Sequence, residues 1–320
     1  MPPMTASQPA APDTTAPTTS AAPRVGIAPD SWGVWNPVDA AQPSPEQYLR
    51  EVAEAGFHWT ELGPYGYLGT DADRLREQFA AHDLALSAGT AFAPLQREGS
   101  LEEVWAEVAD VSRLVRALGG RHVIAIPALW ERDPSGAVQG PRSFDREAWA
   151  RFTIGHDEIG RRLREEFDLS LQFHSHAESP VGSYREVVRF LEDTDPAAVN
   201  LCLDAGHLAY YQADSERLIR EHPERVGYLH LKQVEPDLLA DVLKNDVPFA
   251  EAVRQGVMVE PPHGVPGYAP ILELAARAHP GLFAIVEQDM YPLADLSEPL
   301  RIARRTHEHI VGCGADVRFR

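Results

Sequence analysis

The chain has 320 residues, 44% of them hydrophobic, and a formal net charge of −19. That length supplies a large core in one big domain or two, and no apolar run approaches the roughly 20 residues that span a bilayer. The acidic balance disfavours nucleic acids, anionic membranes and multiply phosphorylated substrates, all of which rely on clustered Lys and Arg.

Residues 1–23, MPPMTASQPAAPDTTAPTTSAAP, lack the basic start and apolar centre of a signal peptide. They offer too little apolar area to offset their ordering entropy and read as a disordered tail. From Arg24 onward, short apolar runs alternate with amphipathic stretches. VGIA, FHWTEL, LALSAGTA and HVIAIPAL read as the first four strands. Helices are predicted from Ser44-Pro45-Glu46, near 71–82 and over 101–118, with Ser as N-cap and Pro at the first helical position of the first. A helix over 144–166 precedes the fifth strand, and one over 297–311 closes the domain. LSLQFHSH, AVNLCLDAGH, VGYLHLK and LFAIVEQD supply strands five to eight. Eight βα units over residues 24–314 predict a single (β/α)8 TIM barrel, with 315–320 as a C-terminal tail. A doubly wound sheet is the rival, but APDSWGVW is not the Gly-rich dinucleotide loop expected after its first strand. Long insertions follow strand four (130–143) and strand seven (233–268), where substrate-covering loops belong.

Each of the last four strands ends in a metal-ligating type of side chain: His174, Asp204, His230 and Glu287. A lone one is a hydrogen-bonded core residue; four at equivalent strand ends point to one site at the C-terminal face of a barrel. The mixed oxygen and nitrogen set suits one divalent ion, Mn²⁺ or Co²⁺ first, with Zn²⁺ or Fe²⁺ also suited. Lys232 stands two residues after His230 and His176 two after His174, so each shares a face with the ligand before it. Lys232 is read either as a contact for a substrate oxygen or developing enolate, or as a rim ion pair. His176 and His207 are acid/base candidates. His58, His82, His307 and His309 read as surface positions. Trp32 and Trp35 either stack on a sugar-like ring or pack over the mouth. Glu61 is either a substrate or supporting contact or a buried ion pair; Glu260 and His263 either close over the substrate or stay solvated. Cys202 and Cys313 form no disulfide framework and no metal pair, Cys202 reads as core, and a cytoplasmic location is expected.

Together, APDSWGVW, AEAGFHWTELGPYGYL, LSAGTAF, FHSHAES, CLDAGHLAYY, YLHLKQV and VEQDMYP resemble the inosose dehydratase group of the xylose isomerase-like TIM-barrel superfamily, from Arg24 to Gly314. That superfamily also holds sugar epimerases and endonuclease IV barrels. The resemblance implies one divalent metal held by a Glu, Asp, His, Glu set. Asp204, His230 and Glu287 match three of these, and His174 stands where the first Glu would be. His207 matches the His of a D-x-G-H motif, a substrate contact, and Lys232 the lysine of H-x-K-D, with Gln233 in place of the Asp.

With one carboxylate replaced by histidine, the two-carboxylate epimerase arrangement is missing, while one base and one acid suffice for elimination. The expected function is a metal-dependent lyase that enolises a keto-cyclitol such as scyllo-inosose and expels a β-hydroxyl. Glu287 or His174 is the expected base, His176 or His207 the acid, and Lys232 shares the enolate charge with the metal. Trp32, Glu61, His207 and Lys232 are the expected substrate contacts. The alternatives are a sugar isomerase or epimerase, or a lyase that eliminates an aglycone from a 3-keto-glycoside. An abasic-site endonuclease is disfavoured by charge, and a non-catalytic scaffold leaves the strand-end ligands unexplained. A homo-oligomer is compatible with the resemblance.

Overall fold

A computed structural model describes residues 22–320. Eight parallel strands close into a barrel: β1 (Arg24–Ile27), β2 (Trp59–Glu61), β3 (Ala85–Phe92), β4 (His122–Ile126), β5 (Ser170–His174), β6 (Val199–Asp204), β7 (Val226–Leu231) and β8 (Phe283–Val286). Each strand pairs with its neighbours in chain order, and β1 closes the ring by pairing with β8, from Arg24 opposite Phe283 to Ile27 opposite Val286. The closed order excludes an open doubly wound sheet and bears out the predicted TIM barrel.

Alternation along the strands divides the apolar residues into two layers. Val25, Leu171, Phe173, Leu201, Leu203, Leu229, Leu231, Ala284 and Val286 join the large core beneath the outer helices. Ala88, Ile124, Cys202, Tyr228, Phe283 and Ile285 form a second cluster inside the ring. Cys202 is thus a core residue, its thiol pushed up to about 12 by burial.

The helices begin where the sequence places their caps. Ser44 accepts from the Gln47 amide ahead of α1 (Pro45–Glu54), and Asp71 caps α2 (Ala72–Ala81). The helix α3 (Leu101–Ala117) follows β3. Asp145 caps α4 (Arg146–Arg162), which continues into a π-helical turn over Leu163–Phe167 and ends at Asp168 with φ 55°. Ser183 and Glu186 form a reciprocal capping box on α5 (Tyr184–Glu192). α6 (Ala205–Tyr210) and α7 (Ser215–Glu221) lie between β6 and β7. The insertion after β7 folds into α8 (Pro236–Lys244), α9 (Phe249–Arg254) and a short ladder of Gln233–Val234 with Met258–Val259. α10 (Tyr268–Ala278) precedes β8, and α11 (Glu298–Gly312) follows it.

The predicted disordered tail lies outside the described residues except for Ala22 and Pro23, which are buried. Residues 315–320, set apart as a tail from the sequence, return to the start of the barrel. The Arg318 amide donates to the Pro23 carbonyl (2.8 Å), and the Arg318 carbonyl accepts from Val25 (2.7 Å). Phe319 packs edge-on against Phe57. No helix among the described residues is long and apolar enough to cross a membrane.

Under the site-bearing half of the barrel, Phe152, Phe173 and Phe190 pack with His156 between α4, β5 and α5; Phe173 and Phe190 have ring centroids 4.0 Å apart. Phe190→Ala leaves a cavity in this cluster and is expected to cost about 3–5 kcal/mol of unfolding free energy in a urea titration.

Candidate active site

Strand alternation carries four inward-facing rows to the C-terminal mouth. Gln172, His174 and His176 come from β5, Cys202 and Asp204 from β6, Tyr228, His230 and Lys232 from β7, and Phe283, Ile285, Glu287 and Asp289 from β8. The register sets Asp204 opposite His230, His174 opposite Cys202 and Ile285 opposite His230. The polar ends of adjacent strands therefore meet at one depth.

His174, Asp204, His230 and Glu287 are all buried, and one ligand atom of each lies within 4.8 Å of the others. His174 Nε2 is 3.2 Å from Asp204 Oδ2, and His230 Nδ1 is 3.0 Å from Glu287 Oε2 and 3.7 Å from Asp204 Oδ2. This is the only group of three or more such ligands among the described residues. A divalent cation fits it. The donors are mixed N and O, and the buried His230 Nδ1 faces the carboxylates of Glu287 and Asp204. His230 is also held from behind: its Nε2 donates to Glu61 Oε1 (3.1 Å), and the Tyr228 hydroxyl donates to the same oxygen (2.8 Å). A carboxylate behind the free face of an imidazole fixes the tautomer that leaves the opposite nitrogen bare for a metal.

The electrostatics of the cluster favour positive charge. Lys232 is fully buried, with its ammonium 3.0 Å from Asp289, 3.1 Å from Glu287 and 3.4 Å from Asp204. Burial opposes charge on Lys232, but Asp204, Asp289 and Glu287 outweigh it and raise the ammonium well above its ordinary value. Burial likewise opposes ionisation of Asp204 and Glu287. Lys232 and His207 hold Asp204 well below the carboxylate range, and His230 and Lys232 do the same for Glu287. Asp204 is anchored by its other oxygen, which accepts from the His207 amide (2.7 Å) at the start of α6. Gly206 lets Lys232 pass: a Cβ there would lie 2.5 Å from Lys232 Cγ.

His176 and His207 pack with ring centroids 3.8 Å apart, tilted by 36°, and line the same cavity. His176 Nδ1 lies 2.7 Å from the Ala177 carbonyl, so that nitrogen carries the proton and Nε2 is left as an acceptor. Burial, with the charges of His174 and Lys232, pushes His176 down to about 3. His207 Nδ1 accepts from the Ala177 amide (3.2 Å), and its Nε2 lies 3.1 Å from Lys232 Nζ. Burial, followed by His176 and Lys232, keeps it well below its ordinary value.

Several expectations are corrected. Trp32 is 0% exposed, donates to Glu51 Oε2 (2.9 Å) and packs edge-on against Tyr48, so it supports the floor of the first loop and does not line the cavity above the cluster. Trp35 is the indole that lines the cavity, stacked on Tyr291 at 5.3 Å. Glu61 lies behind His230 and does not line the cavity, which leaves it a supporting contact. Glu260 is tied to Arg305 of α11 (2.8 Å), and neither it nor His263 reaches the mouth. Two carboxyls escaped the sequence reading. Asp289 follows Glu287 by two residues, the same spacing that singled out Lys232 and His176. Asp30, in the turn after β1, carried no such pattern. Burial first, with the Glu287 carboxylate, raises both, while Lys232 draws both the other way.

The cavity above the cluster has a volume of about 650 Å³. Its walls come from the loops after β1 to β5 and from Phe249 in the insertion after β7. Arg132 ties three of these loops together. It donates to Glu178 Oε1 after β5 (2.8 Å from Nε) and to Asp246 Oδ1 ahead of α9 (3.0 Å), while Arg142 also reaches Asp246 (2.6 Å).

The chain is similar to the rhizopine catabolism protein MocC of Rhizobium meliloti, 28% identical over 86% of this chain and 83% of that protein. It is 26% identical to an inosose dehydratase of Geobacillus thermodenitrificans over 90% of this chain and 96% of that enzyme. Among solved structures it resembles the IOLI protein, described with a bound zinc atom, with a TM-score of 0.68 at 16% identity, covering 91% and 98% of the two chains. It also resembles AsbF of Bacillus anthracis, a probable 3-DHS dehydratase, with a TM-score of 0.67 at 13% identity over 90% and 98%. Residues 49–310 match one protein family along most of the barrel, and the chain belongs to it: the xylose isomerase-like TIM barrel family.

Proposed function

We propose that the protein is a divalent-metal-dependent carbon–oxygen lyase acting on a keto-cyclitol, in the manner of an inosose dehydratase. The observation that carries this reading is the convergence of His174, Asp204, His230 and Glu287 on one point, with the Lys232 ammonium beside them. The names of the curated relatives, inosose dehydratases among them, support the substrate class.

An ion held by these four side chains, Mn²⁺ or Co²⁺ by preference, supplies Lewis acidity toward a ketone and the neighbouring hydroxyl. The remaining work falls to the chain. Lys232, kept charged by three carboxylates, faces the enolate oxygen and offsets its charge in a site that excludes water. Glu287 and His174 belong to the ligand set, so the base is assigned to His176, whose Nε2 is an acceptor in this arrangement. It takes the proton α to the carbonyl, and the C–H pair becomes the enolate. As the β C–O bond breaks, the same imidazole, now charged, returns the proton to the departing oxygen, and water leaves. His207 accepts from the Ala177 amide at Nδ1 and packs its Nε2 edge against Lys232, so it is assigned a positioning role for the loop after β5 and the lysine.

With Mn²⁺ or Co²⁺ restored, scyllo-inosose is expected to yield a product lighter by one water in mass spectrometry; an unchanged mass with inverted stereochemistry would mean an epimerase. His230→Ala is expected to abolish metal binding and turnover together, and turnover in the metal-stripped variant would sink the metal reading. Glu61→Gln, which keeps the shape behind His230, is expected to weaken metal affinity about 10–100-fold in a chelator competition while the far-ultraviolet circular dichroism stays unchanged. Lys232→Met is expected to lower kcat about 10²–10³-fold with metal content retained. Gly206→Ala should act in the same direction, because its Cβ displaces the lysine stem.

A further inference from the structure

The metal-ligand cluster sits where the strands end. Where they begin, the barrel carries charge of the opposite sign. Arg24 opens β1 and His122 opens β4. Val25 and Val123 face the outer helices, so alternation turns Arg24 and His122 inward, onto Phe283 at the start of β8. The Arg24 guanidinium carbon lies 3.7 Å from the Phe283 ring centroid, and the His122 ring meets the same ring edge-on at 5.8 Å. The returning C-terminal segment adds a second arginine. Arg318 is bridged in parallel to Arg24, its main chain fixed by the bonds to Pro23 and Val25. Both arginines are half-buried.

This charge has no carboxylate to answer it. Arg24 donates from Nε to the Gly281 carbonyl (2.7 Å), and among the described residues its terminal nitrogens have no acceptor. Arg318 makes no ion pair and no side-chain hydrogen bond there, and its Nε is buried without an acceptor. The nearby acids are engaged elsewhere: Asp83 with Arg320, and Asp168 with Arg121 (2.7 Å). Asp316 is exposed and pairs with neither arginine. Burial first, and then the charge of Arg318, lowers Arg24. The same field reaches His122, pushed down to about 4 by burial and then by Arg24, His279 and Arg121. In a chain with a formal charge of −19, two adjoining guanidiniums without a counter-charge are an exception. A buried donor without an acceptor costs stability until one reaches it, and a bound ion is one such acceptor.

We infer that Arg24 and Arg318 form a binding site for one small oxyanion of the phosphate class, at the end of the barrel opposite the metal-ligand cluster. Guanidinium groups present forked donors that match the oxygens of such an ion, and two of them supply the charge it needs. One arginine belongs to the first strand and the other to the returning C-terminal segment. An ion shared between them therefore ties the two together, and occupancy stabilises the closed ring by mass action. The site takes no part in the elimination, so it stands or falls separately from the lyase reading.

The test titrates the full chain with inorganic phosphate at constant ionic strength, with chloride as the control, by calorimetry and by amide hydrogen exchange. One saturable site is expected, with slower exchange at the Val25 and Arg318 amides. Arg318→Gln keeps the main-chain bonds of this segment and is expected to weaken phosphate at least about tenfold, with circular dichroism unchanged. Arg24→Gln should do the same. Lys232→Met, which alters the other mouth of the barrel, should leave phosphate affinity unchanged. Methyl phosphate, run in parallel, separates the two sources of such an anion: equal affinity points to the phosphoryl end of a metabolite, and loss of binding to the free ion. Phosphate that acts no differently from chloride in both measurements overturns the site. So does binding that survives Arg318→Gln and Arg24→Gln, or that is lost in Lys232→Met, because the anion then sits elsewhere.

Discussion

The site depends on a balance of buried charge. Asp204, Glu287 and Asp289 surround one ammonium, that of Lys232, within 3.0–3.4 Å. Carboxylates removed from water carry a desolvation penalty that a single lysine does not cancel. The excess negative charge suits the cluster to a second cation, and His230, backed by Glu61, holds its Nδ1 between the carboxylates of Glu287 and Asp204. The proposed metal affinity, the charge state of Lys232 and the orientation of the imidazoles are thus one electrostatic problem, solved by strands that the barrel holds in fixed register.

That register also explains how much of the site was legible in the sequence. A side-chain period of two on a strand buried at both faces makes every second residue point inward, so His174 with His176, and His230 with Lys232, were placed by counting. The same count, carried one step further along β8, would have reached Asp289. What counting does not supply is the path of a loop. Trp32 and Trp35 are three residues apart in one turn. One is sealed against Tyr48 and Glu51 and the other faces the cavity, because the turn at Gly33 (φ 66°) reverses the chain between them. Hydropathy is identical for the two indoles, so the sequence pattern had no means of choosing.

The helices follow a similar division. Side-chain caps at Ser44, Asp71 and Asp145 mark their starts because an oxygen that satisfies an exposed amide is written in the sequence. The acid/base role proposed for His176 was not written there. It rests on which ring nitrogen of His176 meets the Ala177 carbonyl and on how His207 meets Ala177 and Lys232, contacts between elements distant in the chain. The tie from Arg132 to Glu178 and Asp246 is of the same kind, spanning 46 and 114 residues.

The pairing of the first strand with the last residues has a bearing on biosynthesis. β1 needs β8 on one side, and its amide at Val25 is satisfied by Arg318, two residues from the end of the chain. During translation the first barrel strand must wait for the eighth and for Arg318 beyond it. Until then the nascent sheet keeps two open edges, the form in which partly made β structure is most prone to associate with other chains. The ring therefore closes only once β8 has been made, and the backbone bonds of Arg318 to Pro23 and Val25 add a second clasp on β1.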